Sequence, residues 1–351
     1  MALMDTDFSF PQTGEVVEVD NKEAEYVLDL VSHSGIEPHI NGTVKRIIGG
    51  ISSDVWLLDC PQENSSNRYV IKQPLATLRV RKNWSAPLKR AKYEYLWLNM
   101  AAQVSPQCVP KVCYFDESKP LLITHYIDIS DASVWQRQLF SACFDLSFVK
   151  KLGHEIARFH QYTAFNEFYE KQFDSSGILR ATRIEPYIFS LIDIYPEMTE
   201  RLTEIGESVI SNRIAVIHGD LSPKNILCRN ATPIFLDAEC ACYADPAFDI
   251  AFCLNHLLIK FYRLGDIKFI LLARVLTETY LREVNWENRN KLERRIATLI
   301  PVMMLARIDG KSTLTYLNDH HKKLIRKQAL TLLSKNLFTI DFVLNEISSS
   351  M

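Results

Sequence analysis

The chain has no surplus of charge of either sign. Forty Lys and Arg stand against 42 Asp and Glu in 351 residues, a formal net charge of -2. Without a basic excess, no extended surface for nucleic acid or an anionic membrane is expected. Long apolar runs are also missing: the most apolar windows, such as 297–306, extend about ten residues where a bilayer span takes about 18. The start, Met-Ala-Leu-Met-Asp-Thr-Asp, lacks the basic and apolar regions of a secretory signal. A reducing, cytoplasmic setting is therefore expected for the eight cysteines. Cys240-x-Cys242 has no second Cys or His pair at zinc-ligand spacing and reads as core thiols. There is no internal repeat and no low-complexity stretch. Hydrophobic residues at 47% and charged residues at 23% argue against disorder. Any anion this chain handles must be held locally by placed groups.

What is present has two textures. Residues 43–126 carry short apolar runs separated by turn formers: Thr43–Ile48, Val55–Asp59, Tyr69–Gln73, Val112–Phe115 and Leu121–Ile127. One helix interrupts them near 88–102, where Ala91, Tyr95, Leu98 and Ala102 recur at helical spacing. From about Phe144 the pattern is mostly helical, with Asp145 or Ser147 available as a cap. Further helices are expected around 246–263, 266–284, 288–309, 320–335 and 337–346. A β-like island, Ile214–Ile217 followed by Asn225–Cys228 and Pro233–Asp237, breaks the helical part. The expected architecture is α+β and bilobal, a small β-rich lobe over 1–126 and a large α-helical lobe over 127–351.

Three groups of residues carry chemistry. Gly49, Gly50, Ser52 and Ser53 lie between two predicted strands. Paired glycines let backbone amides approach an anion, although the same residues also suit a hairpin turn. Lys72 sits inside an apolar strand, and Glu94 follows on the helix of this lobe, where a carboxylate could position an ammonium. The most specific element is His218-Gly219-Asp220-Leu221-Ser222-Pro223-Lys224-Asn225, followed after a predicted hairpin by Asp237-Ala238-Glu239. The spacing H-x-D-x-x-x-x-N with a later acid matches the plan of phosphoryl-transfer enzymes. In that plan the Asp accepts a hydroxyl proton while the Asn and the second acid hold Mg²⁺. Carboxylate and amide oxygens suit hard cations that bridge phosphates. The hairpin would return Asn225 and Asp237 to each other's side. His218 is expected to be a structural hydrogen-bonding residue rather than a base.

This run, with Asp245-Pro-Ala-Phe-Asp249 after it, resembles the aminoglycoside phosphotransferase-type small-molecule kinases. Their protein-kinase-like fold is shared with choline/ethanolamine kinases and methylthioribose kinase. The resemblance extends from the Gly49-Gly50 loop to at least Leu258. It implies an ATP- and Mg²⁺-dependent transfer of phosphate to a hydroxyl of a small molecule. Asp220 would be the catalytic base, Asn225 and Asp237 metal ligands, and Lys72 the phosphate-binding lysine partnered by Glu94. Adenine would bond to backbone near His125, Tyr126 and Ile127. Glu239 matches the second acid of the choline and methylthioribose kinase branches and would reach a metal directly or through water.

Departures from related patterns narrow the expectation. Gly219 replaces the Arg of His-Arg-Asp, and Asp237-Ala-Glu239 replaces Asp-Phe-Gly, so small-molecule phosphorylation is favoured over a regulated protein kinase. Ser222-Pro223-Lys224-Asn225 argues against methylthioribose as the acceptor. The Asp-x-Glu form argues against aminoglycosides. Rival readings are a protein-modifying kinase or nucleotidyl-transferase, and a nucleotide-binding regulator without catalysis. The regulator would be expected to have lost one of Lys72, Asp220, Asn225 or Asp237, and all four are present. Asp245-Pro246 reads as a helix cap followed by Pro, and Asp249 as a buried brace for the catalytic loop or a partner of the helix dipole. Gly310-Lys311-Ser312 lacks the other glycine of a P-loop, since position 305 is Leu. Arg307, Asp309 and Lys311 fit either a charged helix end or the lining of an acceptor pocket. Arg79-Val80-Arg81-Lys82 reads as solvated loop, or as groups helping to hold phosphate. Oligomeric state and the acceptor itself are not legible.

Overall fold

The computed structural model describes residues 15–36, 42–48, 50–62, 65–79, 85–128, 132–335 and 339–350. Gly49, Val80, Arg81 and Lys82 lie outside them. The first lobe is a six-stranded antiparallel sheet in the order β1-β2-β3-β4-β6-β5. Its strands are β1 Val16–Glu18, β2 Thr43–Ile47, β3 Ser53–Gln62, β4 Ser65–Pro74, β5 Val112–Asp116 and β6 Leu121–His125. Alternation along β3 and β4 sorts the side chains. Trp56, Leu58 and Ile71 point to one face, where helix α1 (Asn21–Val31) lays Val27, Leu30 and Val31 against them. Each such side chain contributes roughly 1.5–3 kcal/mol on burial. Val55, Leu57 and Val70 face the other way. Val55 stands opposite Lys72 in the ladder, so the lysine belongs to this second face, toward the rest of the molecule.

Helix α2 (Arg90–Val104) follows in sequence but buries Trp97, Leu98, Met100 and Ala101 in the larger core. The Trp97 ring meets His218 edge-on at 4.9 Å and Phe159 at 5.4 Å. This helix therefore fastens the sheet to the loop that carries His218. The second lobe begins with β7 (Ser133–Val134) and helices α3 (Trp135–Phe140), α4 (Leu146–Thr163), α5 (Glu167–Gln172) and α6 (Ser176–Leu179). A π-helical stretch, Arg180–Ile188, interrupts the regular helices and contains Pro186. Helix α7 (Thr199–Ser211) then leads to β8 (Ala215–Ile217), β9 (Ile226–Arg229), β10 (Thr232–Phe235) and β11 (Cys242–Ala244). Helices α8 (Ala247–Leu264), α9 (Lys268–Glu283), α10 (Arg289–Asp309), α11 (Asp319–Leu333) and α12 (Ile340–Ser348) complete the chain.

The architecture is the bilobal α+β form expected. Asp145 caps α4 through Ser147 N–H at 2.8 Å. Helix α8 starts one residue later than the Asp-Pro signal suggests, yet Asp245 Oδ1 still accepts from Ala247 N–H at 2.9 Å. The apolar run 121–127 stops being strand at His125, because the chain there leaves the sheet for the second lobe. Cys240 and Cys242 are fully buried and unpaired. Among the described residues, no helix is long and apolar enough to cross a membrane.

Candidate active site

The β9–β10 hairpin pairs Ile226 with Phe235. Leu236 N–H donates to Asn225 O at 2.9 Å, so Asn225 and Asp237 flank the open end of one two-stranded ribbon. Across the cleft from this ribbon, Lys72 Nζ contacts Glu94 Oε2 at 2.7 Å and also bonds Asp237 Oδ1. Oxygens of Glu94, Asp237 and Glu239 all lie within 4.8 Å of one another. Two cations answer three carboxylates. Lys72 serves two of them, and Arg90 Nε holds Glu239 Oε2 at 3.0 Å.

Burial would discharge the Lys72 ammonium, but Asp237, Glu94 and Glu239 more than offset it and hold its pKa above the ordinary value. Burial raises the Glu94 carboxyl to about 7 against the opposing pull of Lys72. Asp237 moves the other way, to about 2, because Lys72 and Lys224 together outweigh its burial.

Asp220 lies on the opposite wall and is 4% exposed. Its Oδ2 receives Asn225 Nδ2 at 2.9 Å and Arg183 Nη2 at 2.9 Å, with Lys224 Nζ at 3.8 Å. Arg183 Nε also donates to Gly219 O at 2.8 Å. The loop is braced from behind by Asp249, whose two oxygens accept His218 N–H at 2.7 Å and Gly219 N–H at 2.9 Å. Asp220 N–H donates to His218 Nδ1 at 3.2 Å, which makes Nε2 the protonated nitrogen, donating to Leu236 O at 3.0 Å. Burial lowers the His218 pKa, so the neutral ring persists. Gly219 has φ +75, and a Cβ there would stand 2.4 Å from Cys240 O. An Arg in its place is sterically excluded, which explains the departure from His-Arg-Asp.

Two cavities meet at Asp220. The first, partly open to solvent, reaches Gly50, Ser52, Asp237 and Glu239. The second runs toward Arg307 and the start of the segment after α10. They share Ile51, Tyr187, Asp220, Lys224 and Ser312. Ser53 is buried with its hydroxyl unpartnered. His125 and Tyr126 spend their N–H groups on Lys111 O at 2.9 Å and Arg68 O at 2.8 Å, and neither they nor Ile127 line either cavity. Of the three residues expected near an acceptor, Arg307 lines the second cavity. Asp309 instead takes Arg326 at 2.5 and 2.9 Å and Tyr195 at 2.6 Å, and exposed Lys311 lines neither cavity. Arg79 reaches Asp54 at 2.5 Å and Gly50 O at 3.4 Å.

Two residues of this site were not anticipated. Arg90 is fully buried, and its five N–H groups go to Glu239, Ala86 O, Pro87 O, Ser52 O and Leu75 O. Arg183 comes from the π-helical stretch, a conformation often found at functional sites. Neither stands at a motif spacing; Pro186 within a helical pattern was the one local signal near Arg183.

A cleft between a β lobe and a helical lobe, with a lysine and clustered carboxylates facing a buried Asp, defines a protein-kinase-like phosphotransferase scaffold. Residues 43–267 match the phosphotransferase enzyme family, and the chain belongs to that family. A methylthioribose kinase of Erwinia tasmaniensis is 27% identical over 260 residues, covering 62% of this chain and 64% of its own length. The chain thus matches less than two thirds of that relative. Among solved structures, the choline kinase of Cryptosporidium parvum shares the fold with TM-score 0.57 at 12% identity, over 93% of this chain and 98% of its own. Amicoumacin kinase in complex with AMP-PNP, Ca²⁺ and Ami also has TM-score 0.57, at 13% identity, over 92% and 96%.

Proposed function

We propose that the protein transfers the γ-phosphate of ATP to a hydroxyl of a small molecule. The observation that carries this is Asn225. Its side chain is wholly buried, its Nδ2 is bound to Asp220, and its Oδ1 has no hydrogen-bond partner among the described residues. An orphaned buried acceptor costs about 1–3 kcal/mol, and it lies beside the three clustered carboxylates Glu94, Asp237 and Glu239. Hard oxygen donors of this kind fit Mg²⁺. Asn225, Asp237 and Glu239 would hold it, and bound there it would neutralise and bridge phosphate oxygens. That a kinase of the same fold was solved with AMP-PNP and Ca²⁺ supports this reading.

The chain's own groups take the remaining roles. Lys72, positioned by Glu94, holds α- and β-phosphate oxygens, and the loop of Gly49, Gly50, Ser52 and Ser53 covers them. The apolar face of Val55, Leu57 and Val70 above, and Ile127, Leu227 and Leu236 below, accommodate the purine. Since His125 and Tyr126 N–H are committed within the protein, the Ile127 backbone is the hinge donor. Asp220 orients the acceptor hydroxyl and takes its proton. The acceptor oxygen bonds the γ-phosphorus as the bond to the β–γ bridging oxygen breaks, and ADP leaves with that electron pair. His218 and Asp249 keep the loop in place without meeting substrate. The lobe assignment, 1–126 for nucleotide and 127–351 for catalysis and acceptor, follows, with α2 fastening the two. The test is acceptor-dependent ADP release with MgATP over hydroxyl compounds of several classes. Background hydrolysis with every class would overturn the proposal.

A further inference from the structure

The second cavity has an unusual charge balance for a site that would take an amino alcohol or an aminoglycoside. Asp220 is the single carboxylate among its lining residues, and that group already receives Arg183, Asn225 and Lys224. Lys224 and Arg307 line the cavity as cations. Among the described residues no carboxylate pairs with Arg307. It donates from Nη1 to Tyr187 Oη at 3.0 Å and to Ser312 O and Oγ at 2.5 and 2.7 Å. Its Nε is buried with no partner among the described residues, and the guanidinium rests 5.5 Å from the Tyr187 ring centre. A ring face is a weak counter-charge, worth about 0.5–2 kcal/mol.

The groups behind Arg307 point the same way. His256, 4% exposed, lines the cavity with Nδ1 buried and unpartnered. Burial, then Arg307, Lys260 and Lys224, depress its pKa well below the ordinary value, so the ring is neutral. Lys260 is fully buried, 5.1 Å from the Phe140 ring centre, and is pushed down to about 7 by burial and by Arg307. The unmet Arg307 donor and the cations Arg307 and Lys224 lie where the acceptor's far end would lie. A cation placed there would face two cations and lose its hydration without a counter-ion.

Resting on the phosphotransfer reading, we infer that the acceptor carries an anionic group, a carboxylate or a phosphate, apart from the hydroxyl that is phosphorylated, and that Arg307 binds it. The lone carboxylate at the cavity junction then addresses the hydroxyl, and the cationic end sets specificity.

The test titrates D-glycerate, ribose 5-phosphate, ribose and ethanolamine into the full chain loaded with Mg-AMP-PNP, by calorimetry, and repeats each with MgATP for ADP release. One of the two anions should bind more tightly than ribose and ethanolamine, and which one does separates carboxylate from phosphate. Arg307→Met should weaken that binding by about tenfold or more, the loss of one charge-assisted hydrogen bond. Because Arg307 also holds Ser312, a second variant, Thr313→Glu, adds a carboxylate at an exposed rim position and should weaken the same ligand severalfold. Tighter binding of ribose or ethanolamine, no binding of either anion, or unchanged anion affinity in both variants overturns the inference. Anion binding without ADP release would instead overturn phosphotransfer and leave the anion site standing. ADP release with ethanolamine alone would do the reverse.

Discussion

Arg90 offers the sharpest stability prediction, because its environment leaves no solvent to compensate for its loss. Arg90→Met keeps the length of the side chain and removes five donated hydrogen bonds, one of them to Glu239. Glu239 is 7% exposed, so its carboxylate would remain buried without its partner. Breaking a buried pair from one side costs about 3–5 kcal/mol. At about 2.1 cal/mol/K per residue, a cooperative unit of 351 residues has an unfolding entropy of about 0.7 kcal/mol/K. The expected fall in Tm is therefore about 4–7 °C. Glu239→Gln on the Arg90→Met background removes the stranded charge and should recover about 2–4 °C, from the about 1.5–3 kcal/mol that a buried charged group loses with its hydrogen-bond partner. Differential scanning calorimetry of the parent, both single variants and the double variant reads this directly. A Tm for Arg90→Met within about 1 °C of the parent, or strictly additive losses in the double variant, would refute the reasoning.

Asp220→Asn should retain MgATP binding and lose turnover by about 10²–10³-fold; parent-level turnover would remove the proposed base. Gly219→Ala should lower Tm and abolish turnover together. Its φ of +75 costs a side chain about 1–3 kcal/mol, and the Cβ would displace Cys240 O from 2.4 Å; an unchanged Tm would contradict the geometry. Lys260 binds fewer protons folded than unfolded between its lowered value of about 7 and the ordinary 10.5, so stability should rise with pH across that window. Lys260→Met should abolish that rise and be more stable than the parent at pH 7, as read by urea unfolding at pH 7, 8.5 and 10. Parallel pH curves for the two proteins would refute it.

The geometry of Asp220 and Asn225 was legible early, because both lie in one six-residue loop whose spacing survives any tertiary arrangement. Asp237 was legible for a related reason: the turn formers Arg229-Asn230-Ala231-Thr232 close a hairpin that returns the chain beside Asn225. Lys72 was harder, since a strand lysine is normally solvated. What identified its direction was the alternation that puts it on one face with Val70. Asp309 stayed between two readings because charge at a helix end does not reveal which way it points; α11 supplies Arg326 from a different part of the chain and makes it a charged helix end. Gly49 lies outside the described residues.

The sequence by itself determined what depends on short range. It placed most strands and helices by period, the cap of α4 at Asp145 or Ser147, the metal-suited donor types and the bilobal division between β-rich and helical texture. Tertiary structure alone decided which cations answer which carboxylates. Arg90 and Arg183 reach the site from a helix start and a π-helical stretch, and no spacing links them to Glu239 and Asp220, 149 and 37 residues away. It also decided which charges line the second cavity. A near-neutral chain carries no net field, but burial strips water from the few charges that line one cleft, and their arrangement alone fixes what that cleft attracts.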